Sequence, residues 1–297
     1  MADEITVVIA AFNAAPFLDF CLAGVENQTL SPTRVLVVDD ASRDDTRKVL
    51  DKWSHRLPLD VIVSKENCGP GVSRAIAFSQ VSQGKLALLD ADDFWLPDHL
   101  KALEQLMTSE NIIAVPKAKI WISGSGLKAY SPFEGNQASP EKQFLSLKKG
   151  NPVFTGAMFD RSLVDRVGGY PTARTGEDYL FWYRCLKHGA VLLQGELCTV
   201  LYRRHTTNIS NTTADWYDRT AKTFTAELEK VGDDSSAVLS SIITQNKHRA
   251  ALSAFDERRE GRRSLLRWIF RGHFRLRVSA AYRLLLGRAP NRYQKTR

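Results

Sequence analysis

Cysteine is scarce. The 297-residue chain has four, Cys21, Cys68, Cys185 and Cys198, and no two are spaced C-x-x-C. A zinc ribbon or dithiol redox motif is therefore excluded, and free, mostly buried cytosolic thiols are expected. Long apolar runs are also missing: no window approaches the ~20 consecutive residues that cross a bilayer as a helix. The start, MADEITVVIAAF, is acidic and its apolar run is short, so no secretory signal is expected there. The turn Asn67-Cys68-Gly69-Pro70-Gly71 is not G-x-G-x-x-G, and it follows the third apolar segment rather than the first. A dinucleotide fingerprint is thus excluded. There is no internal repeat and no coiled-coil heptad.

What is present can bury a core. Hydrophobic residues make up 43% of the chain and charged residues 25%. That suits one large α/β domain with an appendage, or two domains. The charge is unevenly spread. Of the net +8, residues 258–297 alone carry +12, with thirteen Arg/Lys against Glu260, which leaves the other 257 residues at −4. A mildly acidic body with a strongly basic tail implies a phosphate-bearing partner for the tail.

The first hundred residues alternate between two patterns. Ile5–Ala11, Arg34–Val38, Leu59–Val63 and Leu86–Leu89 are short, apolar and rich in Val, Ile and Leu, and read as buried strands. Pro16–Asn27, Asp44–Trp53 and Gly71–Val81 have helical length and mixed polarity. A fourth helix is expected from Pro97, since Pro favours the first helical turn. This alternation predicts right-handed βαβ units and a mostly parallel central sheet flanked by helices. Beyond residue 110, IIAVPKAKIWIS reads as one or two strands broken at Pro116, and 123–152 as a long, partly mobile loop. PVFTGAMFD reads as a strand, GEDYLFWYRCLKHG as a helix, and AVLLQ and TVLYRRH as two more strands. After His205 the chain reads as helical to its end.

Acids cluster where two strands stop. Asp39 and Asp40 follow the second, and Asp90, Asp92 and Asp93 follow the fourth in LALLDADD. Open sheets of this kind bind ligands at the carboxyl ends of their strands, so both clusters should face one crevice. Two carboxylates one residue apart on a turn can share Mg²⁺ or Mn²⁺, hard cations that take oxygen ligands. The alternative is a solvated turn capping the next helix. Asp40 suits a nucleobase N–H or a sugar hydroxyl, because Ser42 and Asp44 are better placed to cap. Arg74 reads as a phosphate or base contact, or as a surface arginine. The Asn67–Gly71 turn reads as a ligand contact or as a turn alone. Glu177-Asp178 opens a helix and is followed by Tyr179, Phe181, Trp182 and Tyr183. A carboxylate held among aromatics suits a general base; the plain alternative is helix-dipole stabilisation. His205 offers a third metal ligand.

In order along the chain, TVVIAAFN, Gln28-Thr29, RVLVVDDASRDDT, ENCGPGVSRA, LLDADDFWLPDHL, FTGAMFDRSLVDRVGGY, TGEDYLFWYR and YRRHTTNIS resemble the family 2 inverting glycosyltransferases. The resemblance covers about residues 4–210 and implies the Rossmann-like glycosyltransferase A-type fold. It also implies roles. Ala10, Ala11, Phe12, Asn13, Asp40, Asn67, Gly69, Arg74, Asp90 and Ala91 would lie along the nucleotide. Asp92, with Asp90 and His205, would hold Mn²⁺ or Mg²⁺. Gly156, Ala157, Asp93 and Trp182 would lie on the donor-sugar and acceptor side. Asp178, paired with Glu177, would be the catalytic base. Two features depart from the usual pattern: Ala10-Ala11 stand where Pro-Thr is common, and Ser73-Arg74-Ala75 stand where Ala-Arg-Asn is usual.

The implied activity is a single in-line transfer of a sugar, a hexose first of all, from a nucleotide-diphosphate donor to an acceptor hydroxyl. UDP is the favoured nucleotide, and the acceptor a glycan or lipid-linked glycan of polysaccharide, lipopolysaccharide or glycolipid synthesis. Residues 1–212 would be the catalytic domain and 213–297 a helical, basic region. In residues 258–297, Trp268, Phe270 and Phe274 interleave with arginines. That pattern reads as contact with an anionic membrane surface, at the inner face of the plasma membrane, or as an ordinary basic helix face. A nucleotidyltransferase would show a Gly-rich, basic loop after the first strand, which AAFNAAPFLDF does not. A non-catalytic nucleic-acid binder using the tail leaves the acidic rim without a role, so no nucleic-acid partner is expected.

Overall fold

The computed structural model describes residues 4–122, 126–130, 138–153, 155–208, 213–231 and 236–256. The chain divides into two compact units, Met1–Thr206 and Thr207–Arg297.

The first unit is an α/β layer structure. Its strands among the described residues are β1 (Ile5–Ala11), β2 (Arg34–Asp39), β3 (Leu59–Val63), β4 (Lys85–Asp90), β5 (Phe94–Trp95), β6 (Ile112–Ile122), β7 (Gly126–Tyr130), β8 (Met158–Asp160) and β9 (Val191–Arg204). Its helices are α1 (Ala15–Glu26), α2 (Thr46–Trp53), α3 (Pro70–Ser79), α4 (His99–Glu104), α5 (Pro140–Ser146), α6 (Ser162–Arg166) and α7 (Glu177–Lys187). The strands form one sheet in the order β3-β2-β1-β4-β8-β6-β9-β5, with β7 beside β6. The expected parallel half is present: β2 pairs with β1 and β3, and β1 with β4, all in parallel. Val7, Val8, Ile9, Val35, Leu36, Val37 and Val38 are all buried. Both faces of β1 and β2 are therefore covered, which is why these strands are near-continuous apolar runs, while β3 at the sheet edge leaves Asp60, Val61 and Val63 exposed. Helix α1 buries Leu18, Cys21, Leu22 and Val25, a stripe at helical spacing.

The second half of the sheet departs from the expectations in detail. β8 is antiparallel to β4 and to β6. β6 is one strand, not two. It runs through Pro116 and shifts register against β9 between Val115 and Lys117, where proline has no N–H to give the ladder. β9 is likewise one strand where two were expected. The helix expected from Pro97 starts at His99. Pro97 instead closes a turn onto the end of α1. Its carbonyl accepts the Thr29 N–H at 2.8 Å. Buried Gln28 donates to the Leu96 carbonyl at 2.8 Å and accepts the Leu100 N–H at 2.9 Å. The Gln28-Thr29 pair is thus a bracket between α1 and α4.

The segment read as a loop is organised where it is described. It contains β7, helix α5 capped by Ser139, and a 3-10 turn at Leu147–Lys149. Gln143 is buried and bonds both the N–H and the carbonyl of Leu192 in β9, at 2.8 and 3.2 Å.

The second unit contains α8 (Ala214–Leu228) and α9 (Ser236–Asp256), which pack on each other. Phe224, Leu239 and Ile242 are buried there. The expected basic amphipathic stretch, 258–297, lies outside the described residues. Among the described residues no helix is long and apolar enough to cross a membrane.

Candidate active site

Register puts the acids on one rim. Ala11 pairs with Asp39, Asp39 with Val63, and Ala10 with Asp90, so four strands end side by side. The turns beyond β1 and β2 carry the non-glycine residues at positive φ, Asn13 (49°) and Ala41 (61°). Such conformations are uncommon outside glycine. Each turn braces the other: the Asn13 N–H donates to Ser42 Oγ at 2.9 Å, and Asn13 Oδ1 accepts the Arg43 N–H at 2.8 Å. Phe12 stands on the rim with 45% of its surface exposed.

Asp40 is not free, contrary to its reading as an open recognition residue. It is buried, and its two carboxylate oxygens accept the N–H groups of Cys68 and Gly69 at 2.9 and 2.7 Å. It ties β2 to the turn that opens α3, and only its remaining lone pairs can serve a ligand. The glycines of that turn make room for protein rather than for ligand. A Cβ on Gly71 would lie 2.3 Å from the Ala173 carbonyl, and one on Gly69 2.9 Å from Arg174 Cγ. The Asn67 backbone carbonyl accepts from the Arg174 guanidinium.

Arg74 is a bridge and not a surface residue. One of its nitrogens lies 2.6 Å from Asp90 Oδ1, and another 2.8 Å from Glu177 Oε1. It joins the rim of β4 to the start of α7. Glu177 is buried, and burial, with the charge of Asp178 beside it, lifts its carboxyl to about 7 against the pull of Arg74. Asp178 is partly buried. Its Oδ1 accepts the Tyr179 N–H at 2.7 Å and its Oδ2 the Asn151 side-chain amide at 2.9 Å. Burial raises its carboxyl, while Arg74 and these two donors pull it down.

The DADD turn gathers three carboxylates, with one oxygen each from Asp90, Asp92 and Asp93 within 4.8 Å of one another. Asp92 is raised by burial and by the charge of Asp90, and is partly relieved by His205. His205 Nε2 lies 2.9 Å from Asp92 Oδ2, and its ring stacks on Phe17 at 4.3 Å. Arg203, at the end of β9, also secures the turn: its N–H donates to Asp93 Oδ1 at 2.9 Å and its Nε to the Asp92 carbonyl at 3.1 Å. Its guanidinium lies over Trp121, Phe20 and Phe17 at 4.3, 4.9 and 5.3 Å.

Several expected contacts are placed away from any open surface. Asp93 is fully buried and holds β9, so it does not face a sugar. Ala157 is fully buried and its carbonyl accepts the Leu88 N–H at 2.9 Å. Gly156, at φ 84°, is wedged against Val200, His99 and Pro116. Trp182 packs edge-on to Phe159 and Phe181 in the core. Ala11 and Ala91 are also buried. Ala11 lies in β1 and Trp182 in α7, both packed into the core, while the others lie in the turns between elements. Asn151, Arg203 and Tyr170 were not picked out in the sequence. Arg203 lies two residues before His205 at the end of β9, and Asn151-Pro152 is a turn signal.

Residues 6–168 match the model of the family described as Glycosyl transferase family 2. The chain belongs to this family. A putative teichuronic acid biosynthesis glycosyltransferase of Bacillus subtilis, TuaG, is 26% identical over 213 residues, 70% of this chain and 81% of that protein. Against other curated family members the chain spans little more than half their length, 53% and 58% in two cases. TarS of S. aureus, solved in complex with UDP-GlcNAc, superposes with a TM-score of 0.65 at 18% identity, covering 93% of this chain and 83% of that one. A mannosyltransferase of Pyrobaculum calidifontis, solved with GDP-Man and Mn²⁺, has a TM-score of 0.60 at 18% identity, covering 97% and 81%. These two share the glycosyltransferase A-type fold with the family 2 chain described here. Its donor set fits a hard divalent cation. Asp90 and Asp92 offer convergent carboxylate oxygens at a partly exposed turn, with one imidazole beside them.

Proposed function

We propose that this chain transfers a sugar, a hexose first of all, from a nucleotide-diphosphate donor to an acceptor hydroxyl with inversion. One observation carries the reading. Arg74 bridges Asp90 of the metal-fit turn and Glu177 of the acidic pair, at 2.6 and 2.8 Å, so both clusters belong to one site. UDP is the favoured nucleotide, supported by the TarS complex, and the acceptor is a glycan or lipid-linked glycan. The naming of TuaG for teichuronic acid synthesis supports a place in polysaccharide or glycolipid assembly. The catalytic domain is residues 1–212. Residues 258–297 hold the enzyme at the anionic cytoplasmic face of the membrane.

Each residue has a job. The β1 turn, Phe12 and Asn13, with Asp40 and Asn67, borders the nucleoside. Asp92, Asp90 and His205 would hold Mn²⁺ or Mg²⁺, whose charge would offset that of the departing diphosphate. Asp178 accepts the proton of the acceptor hydroxyl. The freed oxygen attacks the anomeric carbon, the bond to the diphosphate oxygen breaks, and an α-linked donor gives a β-linked product. Glu177, paired with Arg74, is support for the base and not the base itself.

The test is donor turnover in Asp178→Asn. A loss of about 10²–10⁴-fold is expected, with UDP binding intact. Full transfer by that variant sinks the assignment. A thermal-shift screen of UDP, GDP and dTDP sugars, with and without Mn²⁺, identifies the donor.

A further inference from the structure

Asn151 is the one side chain from another element that bonds Asp178 among the described contacts, at 2.9 Å. Local chemistry leaves it little freedom. Pro152 restricts Asn151 to extended backbone. Asn151 Oδ1 accepts the Val153 N–H at 3.1 Å, an Asx-turn. With that oxygen committed, the amide nitrogen has to point the other way, toward Asp178 Oδ2. The amide orientation is thus set by the turn and not chosen to suit the carboxylate.

The segment carrying Asn151 is anchored on α7 and β9. Gln143 bonds the Leu192 backbone on both sides, the Tyr179 hydroxyl donates to the Leu147 carbonyl, and Phe144 packs on Tyr183 at 5.5 Å. Tyr179 follows Asp178 directly and supplies the N–H on the other carboxylate oxygen. Segment 138–153 and the first turn of α7 therefore grip the carboxylate from two sides, one donor per oxygen.

We infer that Asn151 is a positioning residue for the base: it fixes the plane of the Asp178 carboxylate and favours its ionised form. The inference rests on the proposed role of Asp178. Asn151 offsets groups that act the other way. Asp90 from β4 opposes ionisation and Arg74 from α3 favours it, and Glu177, whose own carboxyl the Asp178 charge raises, adjoins it on the same helix. Tyr170 stands in the same cluster as a neutral phenol.

The test needs no substrate. Carboxyl signals of ¹³C-labelled Asp are followed against pH in the full chain, with Asp178 assigned by its loss in Asp178→Asn. Asn151→Asp keeps the acceptor for the Val153 N–H and replaces the donor with an anion. Asn151→Ser keeps a weaker turn acceptor and is too short to reach Asp178. Both should raise the Asp178 midpoint, by about one pH unit in Ser and more in Asp, since a donor to the charged form and a like charge act in opposite senses. The acid limb of donor turnover, measured as UDP release from a UDP-sugar, should move with it. A midpoint unchanged to within about 0.2 unit in Asn151→Asp overturns the inference. Should Asn151→Ser fail to fold, the near-isosteric Asp variant still decides. Undiminished turnover in Asp178→Asn would defeat the base assignment instead, and the midpoint shift would stand or fall separately.

Discussion

At the scale of single residues, the site is a set of buried charges that constrain one another. Glu177 and His99 make this measurable because their shifts oppose. Glu177 is raised to about 7 from an ordinary 4.5, so its folded form holds a proton that the unfolded chain releases. That contribution is full below pH 4.5 and is lost as pH rises toward 7. His99 is fully buried beside Trp95 and bonds Thr199 at 2.9 Å, and burial lowers it to about 3 from 6.5. Its contribution is full above pH 6.5 and is lost as pH falls toward 3. In the overlap the slopes, about 1.4 kcal/mol per pH unit each, largely cancel. Glu177→Gln should therefore remove a contribution that falls with pH, so that stability by urea denaturation rises more with pH than in the parent between about 4.5 and 6.5. An unchanged profile would show that Glu177 is not shifted. Arg74→Met should cost about 3 kcal/mol at neutral pH by leaving Glu177 buried without its partner, and less in acid, where Glu177 is protonated.

At the scale of elements, the rim depends on contacts between segments far apart in sequence. The end of β9 and the residue after it grip the DADD turn through Arg203 and His205, and α1 roofs Arg203 with Phe17 and Phe20. Arg203→Met should weaken Mn²⁺-dependent UDP binding about 10- to 100-fold, as other losses of outer support to metal ligands do, while UDP alone binds as before. Calorimetry with and without Mn²⁺ separates the two. Helix α3 abuts the 171–174 segment so closely that Gly71→Ala must displace one of them. A loss of about 1–3 kcal/mol is expected, read as a lower melting temperature together with weaker UDP binding, because Asp40 holds the same turn.

At the scale of the molecule, charge divides the chain into an acidic body and a basic end. Residues 258–297 carry +12 and the remainder −4. The full chain should co-sediment with anionic vesicles in a salt-sensitive way, and a chain lacking residues 258–297 should not. Equal binding to neutral vesicles, or none, would remove the electrostatic account.

The amino-acid sequence by itself determined the repeating elements and the address of the chemistry. Apolar runs marked β1, β2 and β4 because strands covered on both faces need no polar alternation, and the exposed edge strand β3 was marked by its Val and Ile alone. DADD was legible because crowded acids at a strand end repel one another, and Glu177-Asp178 because the pair runs straight into a block of aromatics. What each side chain faces was decided by the tertiary structure. Arg74 finds Glu177 across 103 residues and His205 finds Asp92 across 113, and no local pattern encodes such pairings. The same holds for burial: Asp93 is fully buried while Asp92 beside it is partly exposed, and Ala157 and Trp182 lie in stretches buried throughout. Asn151 sits between, its turn written in Asn-Pro and its partner supplied by the packing of α5 and α7.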